Sequence, residues 1–284
     1  MPLHASIVGE SAPPATHAVD ARWLMAYAAS LNDMNPRYID TAAAEVIAHP
    51  LFPVCLEWPV ILGTRAMAGS EHLTPAEAAR GVHAAHDLHL YRPIREGETL
   101  TTTSTMIGVK EIRPGASYHM RLDTRNDAGE LVTRTFQQGI YRGVPVTGDA
   151  RYAEAPPELP ALADPSGDAG REIAVGAGAA HTYTECARIW NPIHTDRKVA
   201  LAAGLPDIIL HGTATMALAL TSIVDRFAEG DPTRITRLGG RFAAMVLMPS
   251  CIRVQAVASD KVISYQVLTE AGEKAISGGF VCLR

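Results

Sequence analysis

Two stretches of this chain lie over one another without a gap: YAASLNDMNPRYIDTAAAEVIAHP at residues 27–50 and YTECARIWNPIHTDRKVALAAGLP at residues 183–206. At a constant offset of 156, Tyr27 meets Tyr183, Asn35-Pro36 meets Asn191-Pro192, Asp40 meets Asp196 and Pro50 meets Pro206. Self-similarity at a fixed offset marks a repeated structural unit. Agreement at turn-forming and polar positions makes the chain two diverged copies of one fold. Between them YAEAPPELPALADPSGDAG, residues 152–170, is rich in Pro, Ala and acidic residues and has no apolar period. That is linker composition. The expected organisation is a first unit over 1–150, a linker over 151–170 and a second unit over 171–284.

Each copy reads in the same order. DARWLMAYAASLN in the first, with Asp20 as N-cap, and AAHTYTECARI in the second predict a short helix. An Asn-Pro turn follows, because proline pushes the residue before it out of helical backbone. A further short helix is expected at 40–47 and 196–203, then a long apolar helix at 53–69 and 212–228. The last of these is apolar on nearly every side until Asp225 and must be buried. Segments of alternating polarity then run to the end of each copy: VHAAHDLHLYRP, TLTTTSTMIGVKEI, SYHMRLDTRND and LVTRTFQQGIYRG, and later RITRLGGRFAAMV, SCIRVQAVASD, KVISYQVLTE and KAISGGFVCLR. One buried helix with a run of antiparallel strands is an α+β unit, a sheet wrapped around a helix. This is the hot-dog architecture, here a double hot-dog.

Composition narrows the function classes. The 284 residues are 47% hydrophobic and 19% charged, with net charge −5 and pI near 6.1. A broad nucleic-acid surface needs clustered positive charge and is not expected. Cys55, Cys186, Cys251 and Cys282 form no CxxC pair, which argues against a zinc or redox motif and leaves buried or incidental thiols. The first twenty residues show no signal-peptide pattern, and no apolar run is long enough for a membrane span. A reducing cytoplasm is the expected location. His83, His86 and His89 recur at spacing three, but on a strand that spacing alternates faces, against a metal site.

The second copy resembles the MaoC-like dehydratase family, also called (R)-specific enoyl-CoA hydratase or hydratase 2. The family pattern is a Tyr, then Ser-Gly-Asp-x-Asn-Pro-(Leu/Ile)-His. This chain has Tyr183, then Ala187-Arg188-Ile189-Trp190-Asn191-Pro192-Ile193-His194. The later (Leu/Ile)-(Leu/Val)-His-Gly matches Ile209-Leu210-His211-Gly212, and the first copy is similar through AHPLFPVCLEWP and YRPIREGETL. The resemblance implies a tandem hot-dog enzyme that hydrates or dehydrates a coenzyme A or carrier-bound acyl thioester. It implies no separate cofactor and no metal. It departs at one place: the family's catalytic Asp falls on Ile189. The first copy keeps an acid there, Asp33, with Asn35, but carries Tyr38 where the His would be.

Residue by residue, His194 is the proton carrier, since imidazole takes and gives a proton near neutrality. The plainer reading is a core histidine bonded to a backbone carbonyl. Gly212 opens the buried helix, where free N–H groups stabilise a developing enolate and a glycine admits substrate to the backbone. Asn191 bonds the substrate or holds the His194 turn; Asp196 caps the following helix. His211 orients the helix start. Tyr183, Ile189, His211, Thr213 and Arg241 are expected along the substrate. Arg234, Arg237 and Arg241 either meet coenzyme A phosphates or form a solvated face. Leu56, Trp58 and Val60 on the first long helix suit an acyl tunnel and core packing equally.

Isoleucine transfers no proton, so three chemistries stay open. The first is hydration on His194 and the Gly212 oxyanion hole. The second is a one-base reaction, either double-bond migration or a Michael-type addition. The third is non-catalytic binding of an acyl thioester. A thioesterase would want a carboxylate near the helix start, which the second copy's motif lacks. A homodimer is left open.

Overall fold

The computed structural model describes residues 2–70 and 73–284. Among them the helices are α1 (Ala21–Ser30), α2 (Pro36–Ile39), α3 (Pro53–Gly63), α4 (Pro75–Ala78), α5 (Ala179–Ala187), α6 (Arg197–Ala202) and α7 (Gly212–Phe227). The strands are β1 (Leu3–His4), β2 (Ala15–Ala18), β3 (Gly81–Leu90), β4 (Thr99–Ile112), β5 (Gly115–Asn126), β6 (Leu131–Arg142), β7 (Val146–Thr147), β8 (Arg151–Tyr152), β9 (Arg171–Val175), β10 (Ile235–Phe242), β11 (Ser250–Ser259), β12 (Val262–Leu268) and β13 (Lys274–Leu283). All eight segments of alternating polarity form strands. No helix among the described residues is long and apolar enough to cross a membrane.

Two compact units emerge, and they interleave along the chain. The first comprises Met1–His17, Leu56–His89 and Thr99–Leu159; the second comprises Ala18–Cys55, Leu90–Glu98 and Pro160–Arg284. The simple division at 150 and 171 is therefore not how the chain packs. The opening helical stretch of the first copy, α1 and α2, folds with the second unit.

In the first unit β4, β5, β6 and β3 are neighbours in that order. Thr102 and Thr124 face each other across β4 and β5 and share a hydrogen bond of 2.8 Å. The part of α3 in this unit lies on the sheet's inner face: Val60 packs with Met106, Val109, Met120 and Leu122, and Glu57 accepts a hydrogen bond from the Thr135 hydroxyl of β6. The predicted helix over 53–69 ends early at Gly63 and passes into a 3-10 turn, Thr64–Ala66. Pro59 inside it removes one backbone donor and weakens continuation.

In the second unit β10, β13, β12, β11 and β9 follow one another, every pairing antiparallel. α7 packs against β11, β12 and β13. It buries Ala214, Met216, Ala217, Ala219, Leu220, Ile223 and Val224, as its all-round apolar sequence requires. Each of the larger side chains contributes about 1.5–3 kcal/mol by leaving water. α1 begins where Asp20 accepts the Trp23 N–H at 2.7 Å, and it packs on α5. The Trp23 indole donates to the Cys186 carbonyl at 3.0 Å, and Tyr27 and Tyr183 meet hydroxyl to hydroxyl at 3.3 Å. Those two tyrosines are equivalents under the offset of 156, so each touches its own repeat counterpart. The short helix expected at 196–203 forms as α6, with Asp196 accepting from the Lys198 and Val199 N–H groups. Its counterpart at 40–47 does not. Asn35 caps the four-residue α2 instead, and Asp40 spends its carboxylate on a turn at Ala42 and Ala43.

Candidate active site

The second unit brings the end of α5, the Asn191-Pro192 turn and the start of α7 together. α5 stops at Arg188, whose φ of +58° breaks the helix. Its guanidinium lies 3.8 Å from the centre of the Trp23 ring. The Ile189 N–H turns back to the Thr184 carbonyl at 3.1 Å, which tucks Ile189 inward to 6% exposure. A 3-10 turn, Pro192–His194, then delivers His194, its N–H held by the Asn191 carbonyl at 3.1 Å.

His194 is buried. Its Nδ1 lies 2.8 Å from the Ile209 carbonyl oxygen, which can only accept, so Nδ1 carries the proton and Nε2 is left as a bare acceptor. Burial holds its pKa down at about 4, offset in part by the Ile209 carbonyl. His211 stacks on it, with ring centres 3.7 Å apart and planes 25° apart. His211 Nε2 meets the Thr184 hydroxyl at 3.2 Å, and burial, then the His194 ring, keep His211 neutral well below the ordinary histidine range. Next to this pair the Tyr183 hydroxyl donates to Thr213 Oγ1 at 3.1 Å. Tyr183, His194, His211, Ile189 and Thr213 thus converge on one place, and Thr184 joins them. Thr184 was not singled out from sequence because a threonine inside a helix carries no motif.

α7 starts at Gly212, and the N-cap His211 side chain makes no capping bond. The first N–H groups of a helix have no partner within it and sit at its positive end. Packing also bears on the missing Cβ of Gly212. A Cβ there would lie 2.8 Å from Cδ1 of Phe242, so the glycine is required by packing against that ring. Asn191 makes no side-chain capping bond, so it remains available.

The arginines divide. Arg234 pairs with Glu229 at 3.0 Å, and Arg237 lies over the Phe280 ring at 5.3 Å. Arg241 is exposed on β10, and no described bond or ring contact joins it to His194.

The acid kept by the first copy does not complete the set. Asp33 is buried, which raises its pKa, and it accepts from the Thr221 hydroxyl at 2.7 Å and the Asn35 N–H at 3.1 Å. Thr221 lies nine residues along α7 from Gly212, about 13 Å at 1.5 Å per residue. Asn35 Nδ2 donates to the Gly230 carbonyl at 2.8 Å. Asp33 and Asn35 therefore fasten the far end of α7. Among the described residues no group of three or more His, Cys, Asp or Glu side chains is arranged to hold a metal ion.

Residues 168–278 match the family described as MaoC like domain, and residues 6–135 match the one described as FAS1-like, dehydratase domain region. Peroxisomal enoyl-CoA hydratase 2 of Arabidopsis thaliana is 22% identical over 220 residues, covering 72% of this chain and 68% of that protein. A UPF0336 protein of Streptomyces coelicolor is 28% identical over 145 residues, half of this chain and 97% of its own length. Among solved structures, a MaoC-like dehydratase from Phytophthora capsici superposes with TM-score 0.82 at 20% identity, over 97% of this chain and 95% of that one. A Mycobacterium tuberculosis protein described as having a double hotdog fold superposes with TM-score 0.62 at 17% identity, over 97% and 96%. At these identities the structural likenesses speak to the fold.

Proposed function

We propose that this chain adds water across the α,β double bond of an enoyl thioester, and removes it in reverse; its match to the MaoC-like domain over residues 168–278 and its likeness to an enoyl-CoA hydratase 2 support the reading. The observation that carries this reading is His194: its Nδ1 is committed to the Ile209 carbonyl, its Nε2 is free to accept, and it sits beside the uncapped start of α7. The thioester carbonyl oxygen would take hydrogen bonds from the N–H groups of Gly212 and Thr213. One such donor is worth about 3 kcal/mol as negative charge develops on the oxygen. His194 Nε2 takes a proton from water as the water oxygen bonds to Cβ and the electron pair moves to the carbonyl oxygen. The imidazolium then gives that proton to Cα as the enolate collapses. One molecule of water has been added and the histidine is restored. Ile189 transfers no proton, so one imidazole performs both steps, and oxygen and hydrogen arrive on the same face. His211, stacked beneath, fixes the plane of the His194 ring. Coenzyme A or a carrier protein arrives as part of the substrate, and no separate cofactor is called for.

The test is a panel of trans-2-enoyl-CoA thioesters, followed by loss of conjugated absorbance and by product mass, with His194→Ala alongside. We expect a gain of one water, slowed about 10²–10⁴-fold in the variant. Unchanged mass with a moved double bond would replace hydration by one-base isomerisation. Binding without turnover of any panel member would make the chain a thioester-binding protein.

A further inference from the structure

Thr213 is the second residue of α7, and its hydroxyl is used differently from those of other helical threonines. A threonine in a helix can return its O–H to the carbonyl four residues back. Thr182 does so to Gly178 and Thr215 to His211, each at 3.2 Å. For Thr213 that carbonyl belongs to Ile209, whose oxygen accepts the His194 Nδ1 proton at 2.8 Å. Among the described residues the Thr213 hydroxyl has one partner, the Tyr183 O–H, which donates to Thr213 Oγ1 at 3.1 Å. Tyr183 is held to that direction from behind. Its oxygen meets the Tyr27 hydroxyl at 3.3 Å. Tyr27 is fully buried, and among the described residues its hydroxyl has no other hydrogen-bond partner, so its proton goes to Tyr183. A phenol has one proton, and Tyr183 spends its own on Thr213. Tyr27, Tyr183 and Thr213, all in the second unit, thus form one directed chain of hydroxyls. The proton left over is that of Thr213. Thr213 is half-buried and Gly212 beside it is exposed, so the chain ends at the accessible start of α7.

Hydrogen bonds in a chain polarise one another, so a hydroxyl that accepts from a neighbour donates more strongly. A strengthened donor beside the free N–H groups of a helix start suits an oxygen that gains negative charge. We propose that the Thr213 hydroxyl is a catalytic group that donates a hydrogen bond to the thioester oxygen as the enolate forms, with Tyr183 and Tyr27 as the positioning residues that polarise it. The proposal rests on the enoyl-thioester reading above. Thr213 gives up no proton: its O–H bond stays intact, and His194 remains the carrier that takes the proton from water and returns it to Cα. The hydroxyl adds a third donor to the N–H groups of Gly212 and Thr213. Its bond strengthens as charge develops, so it acts on the transition state more than on bound substrate. Where Ile189 brings no carboxylate to the water, this chain lowers the barrier from the other side of the reaction, at the oxygen that receives the electron pair.

Two readouts test it. One is kcat and KM for hydration of a trans-2-enoyl-CoA. The other needs no turnover: acetoacetyl-coenzyme A is added to the protein, and its enolate, which absorbs where the keto form does not, is followed at fixed pH. Thr213→Val keeps the branched shape and deletes the hydroxyl. We expect kcat to fall about 10²-fold, as for loss of one oxyanion donor, with KM within about threefold of wild type. The enolate fraction of bound acetoacetyl-coenzyme A should fall at least about tenfold with it. Thr213→Ser restores the hydroxyl and should stay within about threefold of wild type in both readouts. Tyr183→Phe leaves Thr213 unpolarised and should fall between wild type and Thr213→Val; should Thr213→Val not fold, this variant carries the comparison. A wild-type enolate fraction no higher than in free solution, or one undiminished in Thr213→Val and Tyr183→Phe, overturns the proposal. So does a Thr213→Ser variant as impaired as Thr213→Val, which would assign the loss to packing of the methyl group. Absence of hydration with the enolate differences intact would refute the hydratase reading alone.

Discussion

In the proposed hydration, what surrounds His194 suits it to carry the proton. An imidazole in water is half protonated near pH 6.5; this one is held down at about 4 by burial. The base is the neutral form, so activity is lost only as pH falls through the pKa of the buried ring. The resulting prediction is a kcat/KM profile that rises through an apparent pKa of about 4 and stays level from there to pH 8. A limb near 6.5 instead would mean that the ring is solvated in the free enzyme and that the Ile209 bond is not its resting state. The low pKa also makes the imidazolium a strong acid, which suits the return of the proton to Cα and helps one group do the work of two. The motif spacing made His194 and Gly212 legible. It did not reveal the stacked His211, because ring stacking depends on how the Asn-Pro turn and the start of α7 meet. Nor did it reveal that Phe242 is what forbids a Cβ at Gly212, since the two lie thirty residues apart in sequence.

α7 is fastened at two ends by different copies of the repeat. At its start are His211, Thr213 and their partners from α5; towards its end Asp33 and Asn35 reach it from the turn before α2. The acid that the family pattern places at a catalytic position has thus become, in the first copy, a bond to Thr221. Asp33→Ala should lower stability by about 1–3 kcal/mol, the cost of a lost buried hydrogen bond, read as a shift in the urea midpoint. Hydration by the folded variant should stay within about twofold of wild type. A loss of activity larger than the loss of folded protein would show that Asp33 does take part at His194. At this level the sequence was informative about which segments become strands and about α6 and α7, where alternation or an all-round apolar face is unambiguous. It misjudged 40–47, where a run of three alanines suggests helix but Asp40 bonds the following turn, and it overran α3, where Pro59 sits inside the helix.

The repeat itself was the most legible feature of the chain, and its consequence for packing the least. An offset of 156 says that two copies exist; it does not say which pieces fold together, because that depends on contacts at large sequence separation. Tyr27 against Tyr183 and the Trp23 indole on the Cys186 carbonyl show that α1 completes the second unit. Residues 168–278, the stretch that matches the MaoC-like family, lack α1. Without it a fragment beginning at 168 loses the packing of α1 on α5, including the contact of Tyr27 with Tyr183, which is buried in the whole chain. It also loses the burial of Trp23, Leu24 and Tyr27 on the other side. At about 1.5–3 kcal/mol for each large side chain, that loss is comparable with the whole stability of a typical domain, about 5–15 kcal/mol. A fragment of residues 168–284 should therefore show no cooperative thermal transition alone, and should regain one, together with hydration, when co-expressed with residues 1–167. Cooperative unfolding of the fragment by itself would mean that the second copy is self-sufficient and that α1 merely rests on it.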